Sequence, residues 1–285
     1  MLKTTNIPAE ADRKVREEIV AAYKRSPRRL LLLDYDGTLV PFASRPQEAI
    51  PGPKLIRLMQ RLCSFPGNDV AIISGRTRPN LLEWFGDLDV SLVAEHGAWL
   101  RRRGRARWTL LGRISTTWKP AVAPILEDFQ NRVPGSRIEE KEFSLAWHYR
   151  RADPKSAASH VEELFKTLEG MLAKTGIDVV EGNKVLEVHD SRISKGRAAL
   201  HLLRDGRFEF VLALGDDNTD ETMFCALPRR AYTIKVGRAP SRSRFHLPSQ
   251  KDVPPLLREL AGAFDRAPRR WQDVGSGRLP QIGRR

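Results

Sequence analysis

Cysteine is nearly missing from this chain: Cys63 and Cys225 are the only two in 285 residues. They lie far apart, each in a helix-like stretch, with neither the spacing of a metal site nor that of a redox pair. A disulfide framework and a zinc cluster are therefore excluded, and buried reduced thiols are expected. Long apolar runs are missing too, and none reaches the length that spans a membrane. The opening MLKTTNIPAEADRK mixes both charge signs and has no apolar segment of the signal-peptide kind, so a cytoplasmic protein is expected. Acid is in short supply: 35 Asp and Glu face 49 Lys and Arg, a formal net charge of +14. That balance suits either a nucleic-acid binder or an enzyme for anionic substrates. Much of the excess sits in RRRGRAR, residues 101 to 107, and in the tail APRRWQDVGSGRLPQIGRR. Neither carries the aromatic pairs of an RNA-binding sheet, so a solvated basic hairpin and a loose tail are expected, with no specific nucleic-acid partner.

What is present is a globular chain, 41% apolar, long enough for one large or two modest domains. RRLLLLD, NDVAIIS, VSLVAE and FEFVLALG are short apolar runs ending in acid, serine or glycine, the pattern of strands buried on both faces of a parallel sheet. Helical spacing separates them in GPKLIRLMQRLCSF, RPNLLEWFG and SKGRAALHLLRD. From about residue 115 to 191 the order changes to helix, strand, strand, helix, strand, strand. The expected fold is thus α/β: a doubly wound parallel-sheet core carrying an inserted α+β domain. The expected boundaries are 1–114 and 192–265 for the core, 115–191 for the insertion, and 266–285 for a flexible basic tail.

Chemistry concentrates at the ends of the apolar runs, where open α/β sheets collect their ligands. In LLLLDYDGTLV, Asp34 ends a strand, Asp36 follows on the turn, Gly37 permits a backbone that a side chain forbids, and Thr38 offers a hydroxyl. Ser74 ends the second run, Lys195 opens a helix, and GDDNTDE supplies Asp216, Asp217 and Asp220. Singly, an aspartate at a strand end is a helix cap or a turn former. Jointly, carboxylates gathered in a dry pocket repel one another unless a cation compensates, and a hard divalent ion with oxygen ligands fits best, Mg²⁺ above all.

These motifs, taken in order, resemble the haloacid dehalogenase superfamily of aspartate-nucleophile phosphatases. More narrowly, LLLLDYDGTLVPF, AIISGR, LVAEHGAWLR, GDDNTDETMF and AYTIKVG resemble trehalose-6-phosphate phosphatases across roughly residues 28 to 260. The resemblance implies that Asp34 attacks phosphorus and that Asp36 serves as acid, then base, while its carbonyl binds Mg²⁺. Thr38 and Ser74 hold phosphoryl oxygens, and Lys195 neutralises charge. Asp216 ligates the metal, with Asp220 and Asp217 on its waters or on Lys195. The inserted domain becomes a cap whose Glu139, Lys141 and Glu187 bind sugar hydroxyls. Gly75, Arg76, Glu95, His96 and Gly97 resemble core positions facing the sugar, and His148 is either part of the same cap face or structural. The implied substrate is a sugar phosphate, trehalose 6-phosphate, with a trehalose-6-phosphate synthase as functional partner. Two departures stand at the exit from the cap: His189 and Asp190 replace the family's usual Arg-Pro, and Ser191–Ile193 replaces a loop of small residues. Phosphatases of sucrose 6-phosphate or mannosyl-3-phosphoglycerate share the same machinery and remain alternatives. So do an inactive core used for binding nucleic acid and a regulatory chain that docks on a synthase through the amphipathic ADRKVREEIVAAYKRS.

Overall fold

The four leucines of Leu30–Leu33 alternate between two separate cores, and the sheet is organised around that alternation. In the computed structural model, which describes residues 9–43 and 45–264, helix α1 (Ala9–Arg25) leads into strand β1 (Arg29–Asp34). Then come α2 (Pro53–Ser64), β2 (Asn68–Ile73), α3 (Arg78–Phe85), β3 (Ser91–Ala94), β4 (Trp99–Arg101) and β5 (Trp108–Leu110). A second group follows: α4 (Lys119–Arg132), β6 (Arg137–Glu140), β7 (Ser144–His148), α5 (Pro154–Leu172), β8 (Ile177–Gly182) and β9 (Val185–Asp190). The chain ends with α6 (Lys195–Leu203), β10 (Phe210–Gly215), α7 (Asn218–Ala226), β11 (Tyr232–Val236), β12 (Phe245–Leu247) and α8 (Val253–Ala261).

The larger sheet has the order β12-β11-β10-β1-β2-β3-β4-β5. It is parallel from β12 to β3, and β4 and β5 extend it antiparallel. Because strand side chains alternate, Leu31 and Leu33 pack with Ile19 and Tyr23 of α1, Met59 and Leu62 of α2, and Leu256 of α8. Leu30 and Leu32 pack on the other face with Ala198, Ala199 and Leu202 of α6 and Met223 and Phe224 of α7. Each such leucine contributes about 1.5–3 kcal/mol of burial. The apolar stripe of α1 is thereby consumed inside the protein, contrary to the idea of a free docking handle.

Residues 119–190 build a second sheet, β6-β7-β9-β8, antiparallel throughout, with α4 and α5 on one face. Leu145, Trp147, Leu186 and Val188 point into that helix layer. The period of two then sends Glu139, His148, Glu187 and His189 to the opposite face, towards the core.

Two expectations are corrected. Cys63 is buried, and its thiol is pushed up to about 12, chiefly by burial. Cys225 is exposed, because position 225 falls on the outer side of α7 while Met223 and Phe224 take the inner one. The basic stretch does turn a hairpin, yet it is not simply solvated: Arg103 bonds Asp69 at 2.8 Å and Asp89 at 2.5 Å, Arg102 pairs with Asp205, and Arg101 reaches the carbonyl of Gly86 at 3.3 Å. Those guanidinium groups are committed to the protein's own acids and carbonyls. The C-terminal tail lies outside the described residues.

Leu32 is fully buried between the Ala71 and Ala213 registers. Leu32→Ala is expected to destabilise the protein by about 2–5 kcal/mol, read as a lower urea midpoint with an unchanged slope. A loss under about 1 kcal/mol would contradict a strand packed on both faces.

Candidate active site

Adjacent parallel strands end on the same edge, so β1 and β10 deliver Asp34 and Asp216 side by side. Ser194 caps α6 by accepting from the Arg197 amide at 3.1 Å, which sets Lys195 at the first position of that helix. The Lys195 ammonium, 2% exposed, then reaches Asp34 Oδ1 at 2.6 Å and Asp220 Oδ1 at 2.7 Å. Carboxylate oxygens of Asp34, Asp216 and Asp220 lie within 4.8 Å of one another.

One ammonium cannot neutralise three carboxylates in a dry place. Burial pushes Asp34 and Asp220 well above the ordinary carboxylate range, Lys195 pulls both back, and the neighbouring aspartates push them up again. Burial also lifts Asp216, which Asp217 and Asp220 raise further, to about 7. Lys195 itself rises well above its usual value: burial opposes this, but Asp220 and Asp34 outweigh it. Asp34 Oδ2 is buried and finds no fixed donor among the described residues. The Asp216 carboxyl interacts with the Asp34 side chain, and only a proton or a cation lets two carboxylates meet in this way. The backbone is shaped to allow the crowding. Gly37, at φ +82°, has no Cβ where the Asp216 carboxyl sits, and Gly215 leaves the same space for Asp220. An all-oxygen set with a surplus of negative charge fits a hard divalent ion.

The other predicted residues sort into distinct places. Asp36 turns its carboxylate to Arg76, which grips it at 2.8 and 2.5 Å while lying over Trp84 at 5.2 Å. Thr38 is fully buried and donates to Asp216 at 3.3 Å. Ser74 accepts from the Arg76 amide at 3.1 Å, and Gly75 lacks the Cβ that would strike the His96 ring. Asp217, expected with the metal acids, stands apart from that cluster. It caps α7, accepting from the Thr219 amide at 2.9 Å and its hydroxyl at 2.6 Å, and titrates near 2: burial raises it, but Lys195 and Thr219 pull it lower.

Above this floor lies a cavity of about 310 Å³, roofed by the second sheet. Glu139, Ala146 and Glu187 form one row across three strands, and small Ala146 leaves room between the two acids. Lys141 reaches Glu187 at 2.9 Å, Ser144 reaches it at 2.5 Å, and His96 of the core meets it at 2.9 Å. These partners hold Glu187 well below the usual range although burial pushes the other way. Burial likewise lifts Glu139, but His148 at 2.7 Å and Lys141 bring it to about 2. His148 is thus a member of the cavity face. Glu95 and Gly97 are not among the cavity-lining residues. Glu95 is buried and accepts the Phe143 amide at 3.1 Å, and Gly97 lies where a Cβ would strike the Ser194 carbonyl. Glu95 and His96 both adopt left-handed backbone, φ 47° and 54°, which costs on the order of 1–3 kcal/mol each and marks a constrained site.

Several lining residues went unread in the sequence: Arg45, Gln47, Arg137, Arg150, Arg151, Asn183 and Thr219. Only Arg137 carried a signal, since it precedes Glu139 by two on one strand and so shares its face.

Comparison with known proteins agrees with this geometry. The sequence profile of the trehalose-phosphatase family matches residues 32–253. A bifunctional trehalose-6-phosphate synthase/phosphatase of Thermoproteus tenax is 42% identical over 244 residues, 86% of this chain and 33% of that protein. A trehalose-phosphatase of Zygosaccharomyces rouxii is 38% identical over 231 residues, covering 73% of this chain and 26% of its own length. The chain spans about a third of the length of the curated relatives it matches. Among solved structures, the C-terminal domain of the C. albicans trehalose-6-phosphate phosphatase superposes with a TM-score of 0.82 at 35% identity, covering 87% of this chain and 97% of that one. On this sequence and structural evidence, the chain belongs to the trehalose-phosphatase family.

Proposed function

We propose that this chain is a Mg²⁺-dependent phosphatase that converts trehalose 6-phosphate to trehalose and phosphate through an aspartyl-phosphate on Asp34. The observation that carries the reading is the Asp34 carboxylate. One oxygen is held by Lys195 and the other is buried without a donor, at the floor of a cavity roofed by Glu139, Lys141 and Glu187.

In this reading the unbonded Asp34 oxygen attacks phosphorus as the bond to the sugar oxygen breaks. Asp36, released from Arg76, protonates that departing oxygen. It then takes a proton from the water that hydrolyses the acyl phosphate and regenerates Asp34. Lys195 and the Ser74 and Thr38 hydroxyls balance and orient the phosphoryl group. Asp34, Asp216 and the Asp36 carbonyl would hold Mg²⁺, with Asp220 behind them. When bound, the ion neutralises phosphoryl charge and relieves the repulsion among the acids. Phosphate-monoester hydrolysis calls for accelerations up to ~10²¹, about 28 kcal/mol, which no single group supplies.

Glu139, Lys141 and Glu187 take the sugar hydroxyls, assisted by His96 and His148. We assign 115–191 as the cap and 1–114 with 192–265 as the core. Trehalose-6-phosphate synthase activity supplies the substrate, as the synthase/phosphatase relatives' names suggest, and the site of action is cytoplasmic.

Phosphate release from a panel of trehalose 6-phosphate, sucrose 6-phosphate and a small aryl phosphate tests the reading. Turnover should require Mg²⁺, vanish in EDTA, and favour the first substrate. Asp34→Asn should fall by about 10⁴-fold or more with the fold retained, as removal of a nucleophile does, and near-parent turnover would remove Asp34 from that role. Glu139→Ala and Glu187→Ala should raise the KM for trehalose 6-phosphate by about tenfold or more and spare the aryl phosphate, while equal losses on both would argue for folding instead. Acid stability supplies a further check. Glu139 is about 2 in the folded protein against 4.5 unperturbed, so its contribution is present above pH 4.5 and is lost as pH falls towards 2. Urea midpoints should therefore drop over that window, and the drop should be shallower in Glu139→Gln. An identical pH profile for both proteins would contradict the pairing with His148.

A further inference from the structure

The roof meets the core outside the cavity as well as across it. At the β6–β7 turn, Glu142 Oε2 accepts from Arg78 Nη2 at 2.6 Å and from Trp99 Nε1 at 3.2 Å. The Arg78 guanidinium lies 4.0 Å over the Trp99 ring, and the Phe143 ring is 5.9 Å from the same indole. One residue further on, the Phe143 amide donates to the buried, left-handed Glu95 at 3.1 Å. Arg78, Trp99, Glu142 and Phe143 are not among the residues that line the cavity. Their neighbour Lys141 does line it, and its ammonium is 2.9 Å from Glu187.

Three different groups of one core surface thus converge on two consecutive residues of the cap, immediately after a residue of the sugar-facing set. The exposure of the ion pair is informative. The Arg78 and Glu142 side chains are 33% and 42% exposed, so their attraction is screened and modest. Stacking on Trp99 adds a contribution of similar size. A contact of that strength can form and break in each turnover, whereas a fully buried pair would lock.

We infer that Arg78, Trp99 and Glu142 form a clasp that sets the closure of the cap and thereby positions Lys141, with Glu187, on the sugar-facing side of the cavity. They are positioning residues: none touches the cavity, and they act through Lys141 and through the Phe143 amide on Glu95. The inference rests on the phosphatase reading above and adds to it the means by which the roof is held down. It also gives the strained Glu95 a structural task in closure, in place of contact with the sugar.

The test uses the full chain with Glu142→Gln, Glu142→Ala, Arg78→Ala and the Arg78→Ala/Glu142→Ala double variant. For trehalose 6-phosphate, KM should rise about tenfold in Glu142→Ala, equivalent to about 1.4 kcal/mol, and less in Glu142→Gln, which keeps an oxygen for Trp99. Hydrolysis of a small aryl phosphate should stay within twofold of the parent (roughly the limit of additivity error). The double variant should be no worse than the worse single, because the two residues make one interaction. Hydrogen exchange reads closure without turnover: the Phe143 amide should exchange about tenfold faster in Glu142→Ala, with an unchanged thermal midpoint. Unchanged exchange together with unchanged KM would overturn the clasp. So would additive losses, or equal losses on both substrates. A parent without trehalose 6-phosphate turnover would overturn the phosphatase reading instead, and the exchange measurement would still decide the clasp.

Discussion

Everything at this site depends on one buried ammonium shared among too many acids. Lys195 is 2% exposed and has two carboxylates within 2.7 Å, with a third in the same cluster. Desolvating such charges is expensive, and removing one partner of a buried pair costs about 3–5 kcal/mol because the other is stranded. Burying an incomplete set is justified only if something completes it. The glycines at 37, 196 and 215 show how far the backbone goes to bring these elements together, since each lacks a Cβ that would strike a neighbouring chain or carboxyl. The unsatisfied Asp34 oxygen and the raised Asp216 are two expressions of the same surplus. Both are what the proposed reading requires of a site that takes a cation and a phosphoryl group.

The roof follows a different logic. Most of its acids find partners within the roof, Glu187 with Lys141 and Glu139 with His148, while Glu187 also meets His96 of the core. A matched set can be uncovered to water and covered again without a large change in protonation, which suits the proposed role of a surface that parts to admit a sugar. The floor holds more acids than its one ammonium balances, whereas Glu139 and Glu187 of the roof each have a basic partner. In the proposed reading, recognition of hydroxyls and attack on phosphorus then fall to surfaces of opposite electrostatic design.

The floor was legible in sequence because Asp34 ends one strand and Asp216 directly follows another, with Asp220 in the first turn of the next helix, and strand ends of a parallel sheet share an edge. The two-sided burial of β1 was legible from its unbroken leucines. The roof was only partly legible. Alternation along β6 and β9 says that Glu139 and Glu187 share faces with their second neighbours, but not that both face the same cavity. Pairings between elements were invisible, since nothing near Asp36 announces Arg76, and nothing near Glu95 announces the Phe143 amide. Asp34 is 4% exposed, in keeping with the dry pocket expected for gathered carboxylates. Asp217 carried a second readable signal: Asp217 and Asp220 stand three apart at the start of a helix, which is the spacing of a capping box, and that is what Asp217 makes while also lining the cavity.

The departures at the cap exit now have a physical account. Asp190 accepts from the Ser115 amide at 2.9 Å, on the chain entering the cap, and from the Arg192 amide at 3.0 Å and its guanidinium at 2.8 and 2.5 Å, on the chain leaving it. Its side chain is 1% exposed, and these donors, Arg192 foremost, hold it near 2. At the position where the resembling family usually has a proline, this chain has a carboxylate that ties both crossings together. Stiffness is obtained by cross-linking two strands of backbone, not by restricting one. His189, brought by the same change, turns into the cavity beside Glu187. One altered dipeptide therefore reaches both the crossing between the two sheets and the face of the cavity. Ser144 pairs with His189 in the β7–β9 register, so the turn that carries Glu142 stands beside this crossing, and in the proposed reading the Asp190 tie and the Arg78–Glu142 contact restrain the same end of the cap.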